Sequence, residues 1–150
     1  MEIFGAVIGD IVGSRYEFAN HRSKDFPLFS DDCSFTDDSL MTIAVAAALT
    51  ECGDKSDKEL ADSAISHMCG IAALYPHAGY GSSFLRWLFS DGERRPYNSL
   101  GNGAAMRVSP VGYYARTERD VKRLSGIVTG ITHNHPEGLK GAECTAMAVF

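Results

Sequence analysis

The sequence lacks a basic stripe, a Cys-x-x-Cys motif and any apolar run long enough to cross a membrane. Its net charge is −5 and its pI about 5.4, which argues against a nucleic-acid-binding surface. The four cysteines are widely scattered, so we expect reduced thiols in a cytoplasmic protein. The chain starts Met1-Glu2 without a basic region, and Asp10 interrupts the apolar residues that follow. We therefore expect neither a signal peptide nor a membrane span.

Strand-like alternation and internal repeats are also missing, which indicates an all-α fold. The 150 residues, 45% of them apolar, suffice for one domain, residues 1–150, around one core. Apolar periodicity, caps and breakers predict helices over residues 3–18, 37–51, 56–74, 82–89, 104–108, 118–129 and 137–150. We expect Pro110 to end the fifth helix and Pro136 to begin the last. Residues 20–35 and 90–100 are predicted as loops.

Glycine recurs at a spacing of four in the first predicted helix, at Gly5, Gly9 and Gly13. Each glycine costs about 1 kcal/mol relative to alanine in a helix. The stripe therefore predicts close approach of another backbone, with this helix at the centre of a bundle. On another face of the same helix, Asp10 and Glu17 are expected to align.

The stretch Thr36-Asp37-Asp38 opens the second predicted helix and has two interpretations. Thr36 is a good N-cap, and carboxylates in the first turn interact favourably with the helix dipole. Alternatively, a hydroxyl and two adjacent carboxylates form a hard oxygen cluster that suits Mg²⁺, Mn²⁺ or Ca²⁺. With Asp10 and Glu17, four carboxylates would surround one cleft, and they repel each other unless a cation or a proton neutralises them.

The Gly101-Asn102-Gly103 segment also has two interpretations. It fits either a phosphate site made of backbone N–H groups or an ordinary glycine turn. Arg107, a few residues later, is suited to clamping a diphosphate or to pairing with a carboxylate.

Three aromatic or imidazole side chains complete the candidates. His133 and His135 have a spacing of two, which is compatible with ligands, although backbone hydrogen bonds in a turn are the favoured interpretation. Tyr80 would either stack on a base or cover the core.

Taken in order, these motifs resemble the ADP-ribosylglycohydrolase family, all-α enzymes related to dinitrogenase reductase-activating glycohydrolase. The resemblance covers nearly the whole chain. The matching segments are Gly5-Ala6-Val7-Ile8-Gly9-Asp10-Ile11-Val12-Gly13-Ser14-Arg15-Tyr16-Glu17, Phe35-Thr36-Asp37-Asp38-Ser39-Leu40-Met41, Gly79-Tyr80-Gly81, Gly101-Asn102-Gly103-Ala104-Ala105-Met106-Arg107-Val108-Ser109-Pro110 and Thr132-His133-Asn134-His135-Pro136-Glu137-Gly138.

The resemblance implies an orthogonal multi-helix bundle and metal-dependent hydrolysis of the bond to the ribose anomeric carbon of ADP-ribosylated substrates. It implies a two-metal Mg²⁺ or Mn²⁺ centre, with Thr36, Asp37 and Asp38 as ligands and Glu17 near the scissile bond. The substrate would be an ADP-ribosylated protein or a small ligand that contains ADP-ribose. Its pocket would be formed by Asp10, Tyr80, Gly101, Asn102, Gly103, Met106, Arg107, Thr132, His133 and His135.

The sequence departs from the family pattern at its C-terminal end. The family's second acidic motif, Asp-x-Asp-Ser/Thr, supplies further metal ligands, and it does not occur here. The last predicted helix also ends in apolar residues without a C-cap glycine. We therefore expect a C-terminally shortened bundle, weak or no hydrolysis by the chain alone, and a homodimer with the last helix in the interface.

The sequence is also compatible with a function of a different class. The chain could be a catalytically silent module that binds ADP-ribose, a related nucleotide or only a partner protein. Tight binding of Mg²⁺ or Mn²⁺ would favour the hydrolase.

Overall fold

The computed structural model describes residues 3–150, and within that range all regular structure is helical, which confirms the all-α prediction. Met1 and Glu2, on which the expectation of no signal peptide partly rests, lie outside the described residues. No helix described in residues 3–150 is both long enough and apolar enough to span a membrane. The helices are α1 (Phe4–Ser14), α2 (Asp37–Cys52), α3 (Asp57–Leu74), α4 (Ser82–Leu88), α5 (Ser109–Tyr114), α6 (Glu118–Gly130) and α7 (Pro136–Val149), with a 3₁₀ turn at Asn102–Ala104.

Three helices begin where side-chain caps predict. The Thr36 hydroxyl accepts a hydrogen bond from the backbone N–H of Asp38 at 3.2 Å, at the start of α2. Ser56 and Glu59 form a complete capping box before α3. Thr117 caps α6. Such caps satisfy N–H groups that have no partner inside the helix, and each contributes about 1 kcal/mol.

The core lies between α2 and α3, with α5, α6 and α7 packed around them. The largest fully buried side chains of α2 are Met41, Val45 and Leu49, which recur every four positions. Burial of one such side chain is worth roughly 1.5–3 kcal/mol. The α2–α3 pair therefore fixes the start of α2, where the candidate site residues lie.

Helix α1 differs from the prediction in length and position. It ends at Ser14, whose hydroxyl donates a hydrogen bond to Ile11 O at 2.9 Å, and none of its residues is buried. A Cβ added at any of its three glycines would meet nothing within 4 Å, and Phe4 is 74% exposed. The expectation of a central helix was wrong for residues 3–150, because within them no element covers the glycine face of α1.

Pro110 also has a different role from the one predicted. It lies in the first turn of α5, so it begins a helix instead of ending one. Proline fits there because the first N–H groups of a helix have no intrahelical partner. The predicted helix over residues 104–108 is replaced by the 3₁₀ turn and further turn residues.

Helix α7 is better covered than its apolar sequence suggests. Ala142 and Ala146 are fully buried, and α7 packs against both α5 and α6. Gly112 of α5 makes this packing possible, because a Cβ there would lie 2.7 Å from Ala146 O. Part of the apolar surface of α7, which we expected in a dimer interface, therefore packs inside the chain, although Phe150 at its end remains 50% exposed.

We predict that Gly112→Ala destabilises the protein by about 1–3 kcal/mol, because the added methyl group overpacks the α5–α7 contact. Gly126→Ala in α6 is the matched control. A Cβ at Gly126 meets nothing within 4 Å, so that variant should be about 0.5–1 kcal/mol more stable than wild type. Urea denaturation followed by circular dichroism measures both. Equal effects of the two substitutions would contradict the close packing of α5 on α7.

Candidate functional site

Asp10 joins α1 to the first turn of α2. Its Oδ2 accepts hydrogen bonds from the backbone N–H of Thr36 at 2.8 Å and of Ser39 at 3.1 Å. Oδ1 accepts from the Thr36 hydroxyl at 2.6 Å, and Oδ2 also accepts from the Ser39 hydroxyl at 2.5 Å. A carboxylate is well suited to this place, because the N-terminal end of a helix offers unpaired N–H groups and a positive dipole.

These hydrogen bonds also orient the Thr36 hydroxyl. Its proton is directed to Asp10, and its oxygen accepts from the backbone N–H of Asp38. A hydroxyl oxygen has two lone pairs, so one remains free. Thr36 can therefore cap α2 and still offer an oxygen ligand.

The hollow beside this turn, which we call the acidic pocket, measures about 320 Å³ and is lined by Gly9, Asp10, Gly13, Ser14, Glu17, Thr36, Asp38 and Asn102. Glu17 does not reach it from a helix, as the spacing predicted, because α1 ends at Ser14 and Glu17 lies in a bend. The pocket nevertheless brings Glu17, Asp10 and Asp38 together.

The carboxylates of this region affect one another's protonation. Burial, followed by the charge of Asp38, raises the pKa of Asp37 to about 6, and Glu17 and Asp10 add to the effect. Burial also raises the pKa of Asp38, with further contributions from Asp10 and Glu17. Clustered carboxylates with raised pKa values gain stability when a cation or a proton neutralises them.

The donor atoms are compatible with a hard divalent cation. Thr36, Asp37 and Asp38 offer hydroxyl and carboxylate oxygens, the ligands that Mg²⁺ and Mn²⁺ prefer. In residues 3–150 no set of three or more His, Cys, Asp or Glu side chains is arranged to hold a metal ion. The assignment of these three residues as ligands stays a prediction.

A second hollow, the central cleft, lies next to the acidic pocket and measures about 290 Å³. Asn102 lines both hollows, so they meet at the Gly101–Gly103 segment. Asp37, on the same helical turn as Asp38, also lines the cleft. Of the predicted substrate-binding residues, the cleft is lined by Gly101, Asn102, Gly103, Met106, Arg107 and His133.

Arg107 is the only charged side chain that is fully buried in the described part of the chain. Its Nη2 donates a hydrogen bond to the Thr132 hydroxyl at 2.6 Å, and its guanidinium lies 5.5 Å from the centre of the Phe84 ring. Within residues 3–150 it forms no ion pair, and its buried Nε has no partner. Burial lowers its pKa to about 10, so the group stays charged at neutral pH.

His133 connects this arginine to the glycine segment. Its Nδ1 lies 2.7 Å from the Thr132 hydroxyl, and its Nε2 lies 3.2 Å from Gly101 O. A carbonyl only accepts hydrogen bonds, so Nε2 carries the proton and Nδ1 accepts from Thr132. Burial, and then the charge of Arg107, lower the pKa of His133 to about 4, so the ring is neutral.

Four other predicted substrate-binding residues do not line the central cleft. Asp10 lines the acidic pocket, and Thr132 is buried behind the cleft between Arg107 and His133. The imidazole Nδ1 of His135 accepts a hydrogen bond from the backbone N–H of Glu137 and caps α7. Tyr80 is buried against Phe84, and burial, with the charge of Asp37, raises its pKa to about 12.

A family model described as ADP-ribosylglycohydrolase matches residues 3–150. The chain belongs to this family. It is also 28% identical to a protein named ADP-ribosylhydrolase ARH3 from Danio rerio, over an alignment of 174 residues that covers 98% of this chain. The chain spans 45% of the length of that relative.

Six residues that line the cleft of this ADP-ribosylglycohydrolase family member were not predicted as site residues. Four of them, at the start of α4, are Gly81, Ser82, Ser83 and Phe84. Tyr97 and Ser99 come from the loop over residues 90–100. Hydrogen bonds attach that loop to residues 132–134. Tyr97 N donates to Thr132 O at 3.1 Å, and Asn98 N donates to Asn134 Oδ1 at 2.6 Å. The length of the loop was the available signal, since long irregular segments are often functional.

We predict that Asp37→Asn, without divalent metal, raises the free energy of unfolding at pH 7 by about 1 kcal/mol, a value reduced for solvent screening. The folded-state pKa of Asp37, about 6, exceeds the ordinary value of 3.8. The folded protein therefore binds more protons than the unfolded chain between these values, and stability falls as pH rises through that window. The gain in the variant should disappear at pH 3.5.

Urea denaturation in EDTA at both pH values measures this difference. Asp91→Asn, at an exposed loop residue, is the control and should change neither value by more than roughly 0.5 kcal/mol. A loss of stability in Asp37→Asn at pH 7 would contradict the mutual repulsion of the carboxylates.

Proposed function

We propose that this chain binds ADP-ribose-containing substrates in the central cleft and takes part in metal-dependent hydrolysis of the bond to the ribose anomeric carbon. The observation that carries the proposal is the junction at Asn102, where the cleft with Arg107 meets the acidic pocket with Glu17. Membership of the ADP-ribosylglycohydrolase family supports the same chemistry. The name of the Danio rerio relative, an ADP-ribosylhydrolase, agrees with it.

The central cleft suits the nucleotide part of such a substrate. A diphosphate carries negative charge, and the Arg107 guanidinium offers a buried positive charge that no carboxylate of residues 3–150 neutralises. The Gly101–Gly103 segment brings backbone close to the ligand, and its position is held by the hydrogen bond between His133 and Gly101 O. Phe84 and Tyr97 add aromatic surface to the walls of the cleft.

The acidic pocket suits the reacting end of the substrate. Cleavage of the anomeric bond develops positive charge on the ribose ring, and a nearby carboxylate stabilises that charge. Glu17 is an exposed carboxylate in the pocket and is suited to this role. Water then forms the new bond to the anomeric carbon, while the leaving atom takes the electron pair of the broken bond together with a proton.

Thr36, Asp37 and Asp38 would hold a hard divalent cation such as Mg²⁺ or Mn²⁺. Such an ion, when bound, lowers the pKa of a coordinated water and so supplies the nucleophile. Asp10 contributes indirectly, because it accepts the Thr36 proton and leaves the hydroxyl oxygen available. Asp37→Ala and Asp38→Ala should each weaken metal binding.

We predict that Glu17→Gln retains ADP-ribose binding but reduces hydrolysis at least roughly 100-fold, because it removes a charge at the reacting end at nearly constant volume. Release of ADP-ribose from an ADP-ribosylated peptide with Mg²⁺, with Mn²⁺ and with EDTA measures activity. Calorimetry measures binding of ADP-ribose. Glu118→Gln, at an exposed position of α6, is the matched control and should match wild type in both assays.

The same assays separate the two proposed classes of function. ADP-ribose binding by wild type, with neither metal-dependent release nor tight binding of Mg²⁺ or Mn²⁺, would support the catalytically silent module. Absence of ADP-ribose binding by the folded wild-type chain would overturn both. An unchanged release rate in Glu17→Gln would remove Glu17 from the mechanism.

We also propose that the chain forms a homodimer. The supporting observation is exposed apolar surface on α1 and at the end of α7, where Phe4, Ile8 and Phe150 are 74%, 50% and 50% exposed. Apolar surface of this kind is often covered by a second subunit, and a two-fold axis lets both chains use the same surface.

Light scattering should therefore give twice the mass of the chain at a concentration of about 100 μM. Phe150→Ser at the end of the last helix, combined with Phe4→Ser and Ile8→Ser, should shift the mass towards the monomer. Leu74→Ser, at a residue that is 76% exposed at the end of α3, is the control and should leave the mass unchanged. A monodisperse wild-type monomer would contradict the dimer.

A further inference from the structure

A third hollow, which we call the arginine groove, continues the central cleft on the side of α4. It measures about 480 Å³, and its lining includes Ser83, Arg86, Trp87, Arg94, Arg95 and Tyr97. Ser83 and Tyr97 also line the central cleft, so the two hollows are neighbours. Neither the proposed hydrolysis nor the predicted ADP-ribose pocket uses this groove.

The groove carries an excess of positive charge in a chain that is acidic overall. Its three arginines are accompanied by one acidic residue, Glu93, which leaves a surplus of two positive charges in the lining. Glu93 pairs with Arg95 at 2.7 Å. Arg86 and Arg94 form no ion pair with any residue of the described range 3–150.

Local contacts orient both unpaired guanidinium groups. Arg94 donates through Nη2 to Leu88 O at 2.9 Å and lies 6.0 Å from the centre of the Trp87 ring, and its buried Nε has no partner. Arg86 donates through Nη2 to the Ser83 hydroxyl at 3.0 Å. Each guanidinium has five N–H donors, so both keep donors for an anion.

The three hollows form a series. The acidic pocket joins the central cleft at Asn102, and the cleft joins the arginine groove at Ser83 and Tyr97. An extended nucleotide with its anomeric carbon at the acidic pocket and its diphosphate in the central cleft would direct its adenosine end towards the arginines.

We propose that the arginine groove binds a phosphate ester carried on the adenosine ribose of the nucleotide in the central cleft. The inference rests on the proposed function, because the proposed function sets the orientation of the nucleotide in the cleft. A phosphate monoester carries a charge of about −1.5 to −2 at pH 7, which matches the surplus of the groove. Its three terminal oxygens can accept the forked N–H donors of more than one guanidinium group.

The test compares the affinities of the full chain for ADP-ribose, for ADP-ribose 2′-phosphate and for its 3′ isomer by calorimetry. We expect at least one phosphorylated ligand to bind wild type roughly tenfold more tightly than ADP-ribose, because charge-assisted hydrogen bonds are the strong ones. Arg86→Gln and Arg94→Gln should each reduce that preference and leave the affinity for ADP-ribose within about twofold. Arg119→Gln, at an exposed position of α6 outside the groove, should keep the preference.

Each other outcome overturns the groove assignment. Equal affinity of wild type for all three nucleotides leaves the proposed function intact and removes only the phosphate subsite. An equal loss for ADP-ribose and its phosphates in Arg86→Gln would assign the groove to the diphosphate instead. Inorganic phosphate is the last ligand to be tested. The groove would be assigned to free phosphate if wild type binds inorganic phosphate tightly, Arg86→Gln abolishes that binding, and the phosphorylated nucleotides bind no more tightly than ADP-ribose. Failure of all three nucleotides to bind overturns the proposed function as well.

Discussion

The acidic pocket depends on the carboxylate of Asp10. This one side chain accepts four hydrogen bonds from Thr36 and Ser39, which form the first turn of α2. Because none of the residues of α1 is buried, hydrophobic packing holds α1 in place less firmly than it holds the other helices. The hydrogen bonds between the Asp10 carboxylate and the N-terminus of α2 therefore hold α1 in place, as apolar contacts hold the other helices. The positions of Glu17, Thr36 and Asp38 around one hollow follow from it.

The central cleft depends on a different kind of interaction, a buried cation without a counter-ion. The Arg107 guanidinium, the Thr132 hydroxyl, the His133 ring and Gly101 O form a continuous chain of hydrogen bonds. Burying such a charge is costly unless hydrogen bonds or an anion compensate it. The chain of bonds compensates part of that cost and gives the glycine segment a fixed position. An anionic ligand would compensate the remainder, which is why the cleft is suited to a diphosphate.

Local signals allowed much of the fold to be predicted. Thr36, Ser56 and Thr117 marked helix starts because capping depends only on neighbouring residues. The prediction failed where distant packing decides: the glycine face of α1 has no neighbour in residues 3–150, and Pro110 begins a helix that packs on α7. In the site, the acidic and glycine motifs were visible in the sequence. Tyr97 and Ser99 were not, because a loop reaches the cleft only through contacts with residues more than thirty positions away.

Asn102 contributes to the walls of two hollows of opposite chemical character. Any substitution that shifts the Gly101–Gly103 segment changes the shape of both hollows together. In the proposed function, ligand selectivity and the placement of the reacting bond are therefore coupled. Substitutions that change only one of the two hollows are therefore expected in their outer walls, such as the loop over residues 90–100 or the bend at Glu17, and not at Asn102.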